Sequence, residues 1–163
     1  MAKEWTNVQE QPVKPQKKIT ICTPIPLNCS LMRSDAAWRA ASQLAGLGWT
    51  IRREGEEVSS FSTDSSVKSA LVAKAMAMRQ AVKESWILGH KRLRCEADSD
   101  QLIKAFNGNE VPLEIYGIVA DILDYSFRFE VIAFVWIPRE KNSIADGLAK
   151  QGLVMVEALM ANT

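Results

Sequence analysis

The feature that most restricts the fold is a rapid succession of three strand-like runs followed by one long helical run. Residues Leu27 to Trp38 read LNCSLMRSDAAW. Successive side chains of a strand point to opposite sides, so this alternation sets Leu27, Cys29, Leu31, Arg33 and Asp35 on one face, with Asp35 expected at the strand's end. Leu44 to Arg53 (LAGLGWTIRR) and Val58 to Ser62 follow as two more strands, turned at Glu54 to Glu57 around Gly55. Connections this short join antiparallel neighbours, which gives a meander. Gly46 and Gly48 predict a bulge or a tight backbone approach in the middle strand.

Ser65 or Ser66 is placed to cap a helix that runs to about Leu88 and stops at Gly89. At about 100° per residue, Ser69, Arg79, Gln80, Lys83 and Glu84 share one side, and Ala70, Leu71, Met78, Ala81 and Val82 the other. Lys74 falls within the apolar side. An unpaired ammonium there costs several kcal/mol, so either it snorkels out or acids lie opposite it.

Lys91 to Ala97 (KRLRCEA) is then a strand entered from a helix, and therefore parallel to the first by the right-handed crossover rule. A short helix over Ser99 to Phe106 ends at the turn Asn107 to Asn109. Another runs from Pro112 to about Tyr125, Arg128 to Ile137 is a fifth strand, and Asn142 is the expected cap of a last helix reaching towards Met160. The predicted order is βββαβααβα. Residues 1–26, with Pro12, Pro15, Pro24 and Pro26 among Gln and Lys, read as a linker or tail, and 27–163 as one domain.

With 163 residues, 47% of them hydrophobic and 24% charged, the chain can bury a full core without staples. It contains no run of roughly 18 apolar residues and no signal-peptide core, so a soluble, intracellular monomer of the nucleus or cytoplasm is expected, neither secreted nor membrane-bound. Cys22, Cys29 and Cys95 share no CxxC spacing, which argues against a disulfide framework or structural zinc. The net charge of +1 demands no nucleic-acid partner by itself. Lys14, Lys17 and Lys18, and Lys91, Arg92 and Arg94, form local basic clusters.

Asp98 closes the fourth strand as Asp35 is expected to close the first. Between parallel neighbours both acids would sit at the carboxyl edge where α/β proteins build their sites, and Asp146 adds a third from the start of the last helix. Clustered carboxylates repel one another unless a cation lies between them. Oxygen-only ligands suit Mg²⁺ or Mn²⁺.

These residues resemble a known family. SDAAW at Ser34 to Trp38, GLGWTIRR, the helix AKAMAMRQAV, CEADSDQLI and VWIPREKNSIADGLAK are similar, over about Leu27 to Leu153, to plant RNase H-like domains of the type found in non-LTR retroelement polyproteins and their domesticated relatives. The resemblance implies an α/β fold with a five-stranded mixed sheet ordered 3-2-1-4-5 and flanked by helices. It implies hydrolysis of the RNA strand of an RNA/DNA hybrid by two divalent metals roughly 3.5 to 4 Å apart, held by an Asp-Glu-Asp-Asp set. Matched by motif, Asp35, Asp98 and Asp146 are the catalytic and metal-ligating aspartates. RNA/DNA hybrid or double-stranded RNA is the implied partner, with protein partners unknown.

One position departs from that pattern. The family's helix carries Glu where this chain has Lys74, so a site charge of about −4 becomes about −2 and cation affinity falls steeply. The ammonium can itself occupy a metal position. Glu84 lies roughly 15 Å along the helix, too far to substitute. Glu96, two residues before Asp98, is the other acid in reach. Arg139 and Lys141 precede Asp146 and are candidates for phosphate contact. His90 reads as a helix-end capping or surface residue, and Trp38, Trp49, Trp86 and Trp136 as packing.

Overall fold

The computed structural model describes residues 28–108 and 110–162. The proposed linker, Leu27 and Cys22 lie outside the described residues. The elements run β1 (Ser30–Arg39), β2 (Leu44–Arg53), β3 (Glu56–Asp64), α1 (Ala70–Ile87), β4 (Arg92–Ala97), α2 (Asp100–Asn107), α3 (Tyr116–Ser126), β5 (Val131–Trp136) and α4 (Ser143–Ala161). One sheet holds all five strands in the order β3-β2-β1-β4-β5. β1, β2 and β3 form the antiparallel meander, and β4 and β5 join parallel to β1.

The two sheet faces are covered differently. Met32, Trp49 and Ile51 belong to the core that also takes Ala73, Ala77, Met78 and Ala81 of α1, with α2 and α3 completing that layer. α4 packs on the other face, across β1, β2 and β3. Its approach depends on Gly46 and Gly48. A Cβ at Gly46 would lie 1.9 Å from the Ala149 carbonyl oxygen, and one at Gly48 would lie 2.5 Å from that of Ala145. The expected tight approach is therefore present. The expected bulge is not, because the ladders to β1 and β3 continue unbroken through both glycines.

Several boundaries differ from expectation for identifiable reasons. β1 does not end at Asp35 but continues to Arg39, since β2 keeps pairing with it as far as Leu44. β3 is longer than Val58 to Ser62 because its whole length pairs with β2. Ser69, not Ser65 or Ser66, caps α1: its hydroxyl accepts the Val72 N–H at 3.1 Å, while Ser66 takes φ +57° in the preceding turn. Ala70, in the first turn beyond that cap, is exposed rather than buried. Gly89, at φ +88°, stops the helix as expected. Pro112 leads into a single 3₁₀ turn at Leu113–Ile115 before α3 begins. β5 starts three residues late, because the amides of Arg128 and Phe129 still bond to Tyr125 and Ser126 at the end of α3.

Candidate functional site

The parallel ladder between β1 and β4 ends at Arg33 opposite Glu96. Beyond it β1 stays with β2 and β4 leaves for α2, so Asp35 and Asp98 stand where two neighbouring strands diverge. α1 crosses behind them and sends Lys74 into the gap. The Lys74 Nζ lies 3.2 Å from Asp35 Oδ1 and 3.1 Å from Asp98 Oδ1. Both carboxylates are nearly sealed from solvent, their side chains 3% and 5% exposed, while the lysine side chain is 29% exposed. Of the two fates open to an inward lysine, the sequence position takes the second: acids lie opposite it.

The energetics follow from burial. Desolvation raises the Asp35 pKa above its ordinary 3.8; the Lys74 charge opposes that, Asp98 reinforces it, and the Ala36 amide, 2.8 Å from Oδ1, again favours the anion. Burial works against the Lys74 ammonium, but Asp35 and Asp98 together outweigh it and hold its pKa above 10.5. The site therefore keeps its proton on the lysine. A half-buried ammonium with two buried carboxylate partners is also hard to displace.

Asp146 reaches the neighbourhood by another route. Asn142, expected as a helix cap, makes no capping bond from its side chain. Its Nδ2 donates instead to the Ser34 carbonyl at 3.0 Å, which ties the start of α4 to β1 one residue before Asp35. Its buried Oδ1 has no hydrogen-bond partner. Asp146 follows one turn later, and its carboxylate pairs with Lys150 at 2.9 Å. So the fold joins Asp35, Asp98 and Lys74 directly, while Asp146 sits on the adjoining helix turn with its own cation.

Glu96 is committed elsewhere. Buried on β4, it receives Arg33 Nε at 2.9 Å and Arg94 Nε at 3.0 Å. Arg33 Nη1 further donates to the Lys141 carbonyl, which fixes the turn before α4. This relay from β4 through β1 to α4 was missed in the sequence. Its signal was the alternation itself: Arg94, Glu96 and Asp98 share one side of β4, and Arg33 and Asp35 the same side of the neighbouring β1. Arg139 and Lys141 form an exposed 3₁₀ turn ahead of Asp146. His90 does cap the end of α1, through its backbone N–H, which bonds to the Ser85 carbonyl at 3.0 Å; its half-buried side chain has Nδ1 2.6 Å from Ser30 Oγ, and burial followed by the charge of Arg53 lowers its pKa. Trp136, 49% exposed, donates from Nε1 to the Asp98 carbonyl at 3.1 Å. Trp49 is core, as expected. Cys95 is buried and Cys29 half-buried.

These donors do not fit a pair of divalent ions. Among the described residues no group of three or more acids, histidines or cysteines is arranged to hold a metal. The space between the two buried aspartates is taken by an ammonium. A divalent ion 4 Å from that charge would meet a repulsion of about 8 kcal/mol at an effective dielectric constant near 20.

The family model described as reverse transcriptase-like matches residues 33–152. Among solved structures, the RNase H1 of Halobacterium salinarum superposes with a TM-score of 0.71 at 19% identity, over 77% of this chain and 98% of that one. The N-terminal RNase H domain of a Mycobacterium tuberculosis protein gives 0.74 at 16%, over 82% and 99%. An RNase H1 isolated from compost, solved with an RNA/DNA hybrid, gives 0.70 at 20%, over 78% and 98%. No curated protein matches the sequence. Identities this low speak for the fold, and the family model spans most of the chain: the protein belongs to the reverse transcriptase-like family and is an RNase H-like domain.

Proposed function

We propose that this chain is a nucleic-acid-binding domain of ribonuclease H type in which metal-dependent hydrolysis of the RNA strand of an RNA/DNA hybrid is lost or strongly weakened. The observation that carries this reading is the Lys74 ammonium bridging Asp35 and Asp98. It stands where the family's motif has Glu, and it reduces the negative charge that would draw Mg²⁺ or Mn²⁺. Asp146 is the remaining member of the ligand set, and Arg139 and Lys141 are the phosphate contacts on its approach. The compost RNase H1 crystallised with a hybrid supports RNA/DNA hybrid, or double-stranded RNA of similar A-like shape, as the ligand class. With ligands of this class, an intracellular protein of the nucleus or cytoplasm is expected. The motifs SDAAW and PREKNSIADGLAK support descent from plant retroelement domains.

The test is cleavage of a labelled RNA/DNA hybrid in Mg²⁺ and in Mn²⁺ by wild type, Lys74→Glu and Asp98→Asn. Little or no cleavage is expected from wild type, and a gain on the order of 100-fold from Lys74→Glu. Rapid wild-type cleavage that Asp98→Asn abolishes overturns the proposal. Salt-dependent hybrid binding without cleavage supports it. Absence of binding leaves the fold as a protein-interaction module.

A further inference from the structure

α4 is apolar on both sides. Ala145, Ala149, Gly152, Leu153 and Val156 are buried against the sheet. Directly opposite, where a surface helix ordinarily carries charge, runs an exposed stripe of Ile144, Gly147, Gln151, Val154, Ala158 and Ala161. Ile144 is 56% exposed and Val154 65%, and Leu159 beside them is 62% exposed. Only Gln151 in the stripe is polar. An uncharged face of this length, interrupted by one polar residue, marks an interaction surface.

The stripe advances by alternating steps of three and four residues, the spacing by which two helices interlock along a seam. Its charged border identifies the occupant. Lys150 and Glu157, one heptad apart, lie along the same edge of the stripe. If two copies of α4 run antiparallel with Gln151 against the second copy's Val154, Lys150 of each meets Glu157 of the other. The same register sets Gly147 against Ala158 and Ile144 against Ala161, so small residues admit close approach along the seam. A side chain at Gly147 would meet nothing within 4 Å in the single chain.

We propose that this face docks a second copy of the chain, α4 against α4, about a two-fold axis near Gln151 and Val154. This departs from the monomer expected from sequence. The present partners of the border charges, Asp146 for Lys150 and Arg39 for Glu157, form surface pairs in which one member is exposed and the other half-buried, and such pairs contribute little stability. A two-fold contact is self-complementary, so each pairing is made twice.

Sedimentation equilibrium of the full chain from low to high micromolar concentration tests this. Wild type is expected to pass from monomer to dimer, and Val154→Glu to remain monomeric. Lys150→Glu sets two acids together twice and weakens the dimer by on the order of tenfold. Lys150→Glu combined with Glu157→Lys restores it. All three positions are exposed or at the rim, and circular dichroism checks that each variant is folded. A wild-type monomer at every concentration overturns the proposal and leaves the face to the N-terminal segment or another protein. A dimer indifferent to Lys150→Glu, or not recovered by the double exchange, overturns the antiparallel pairing.

Discussion

Lys74 sets the charge between two buried acids, its ammonium lying 3.2 Å from Asp35 and 3.1 Å from Asp98. Replacing it by Met leaves Asp35 and Asp98 facing each other without a cation, at a cost of about 2 kcal/mol at pH 7 once the partial exposure of the lysine is discounted. The pH dependence has a definite direction. A lysine whose folded pKa is held above 10.5 contributes stability that is complete below 10.5 and is lost as pH rises through the folded value. Urea denaturation across pH should therefore show the difference between wild type and Lys74→Met holding at neutral pH and shrinking above 10.5. A gap that persists unchanged far into alkali would mean that packing, not the ammonium, makes the contribution. This residue was legible in the sequence, since helical periodicity alone placed a cation on an apolar face. Its partners were legible only through the parallel pairing of β1 and β4. The bond from Asn142 to Ser34 was not legible, because a residue at a helix start has a local role to play and the sequence shows nothing of the carbonyl 108 positions away.

At the scale of elements, β2 and α4 are the pair on which the site's geometry rests. The glycines of β2 let the α4 backbone lie against the strand, and α4 in turn brings Asn142 and Asp146 to the edge where Asp35 stands. Gly46→Ala would drive a methyl group into the Ala149 carbonyl and the Leu153 amide, backbone atoms that cannot turn aside. It should cost about 3 kcal/mol, read as a lowered thermal midpoint. Gly48→Ala meets the helix nearer its start, 2.5 Å from Ala145, and should add a weakening of hybrid binding that Gly46→Ala at matched stability does not show. The strands of the meander were readable because alternation and short turns are local signals. Their ends were not, since β1 and β3 extend as far as their neighbours keep pairing, which is decided across the sheet. The start of α1 was misplaced for a related reason: four serines within 62–69 offer caps of similar chemistry, and only the docking of α1 selects Ser69.

For the whole molecule, the sheet order and the two-sided helical cover match the resemblance carried by its motifs, and no helix among the described residues is long and apolar enough to cross a membrane. Ion binding then becomes a global readout, because a ligand that binds only the folded state raises the melting temperature. Adding Mg²⁺ or Mn²⁺ at millimolar concentration should leave the wild-type midpoint within about 1 °C, and raise that of Lys74→Glu by about 4 °C. A wild-type rise equal to that of the variant would show that the lysine yields to the ion. Trp136 gives this an optical counterpart. Of the indoles in the described residues it is the one left half in solvent, and its ring nitrogen is tethered to the backbone of Asp98. Its emission colour and its quenching by acrylamide thus register whatever settles at that edge of the sheet, without any dye attached, against a steadier glow from its more enclosed neighbours.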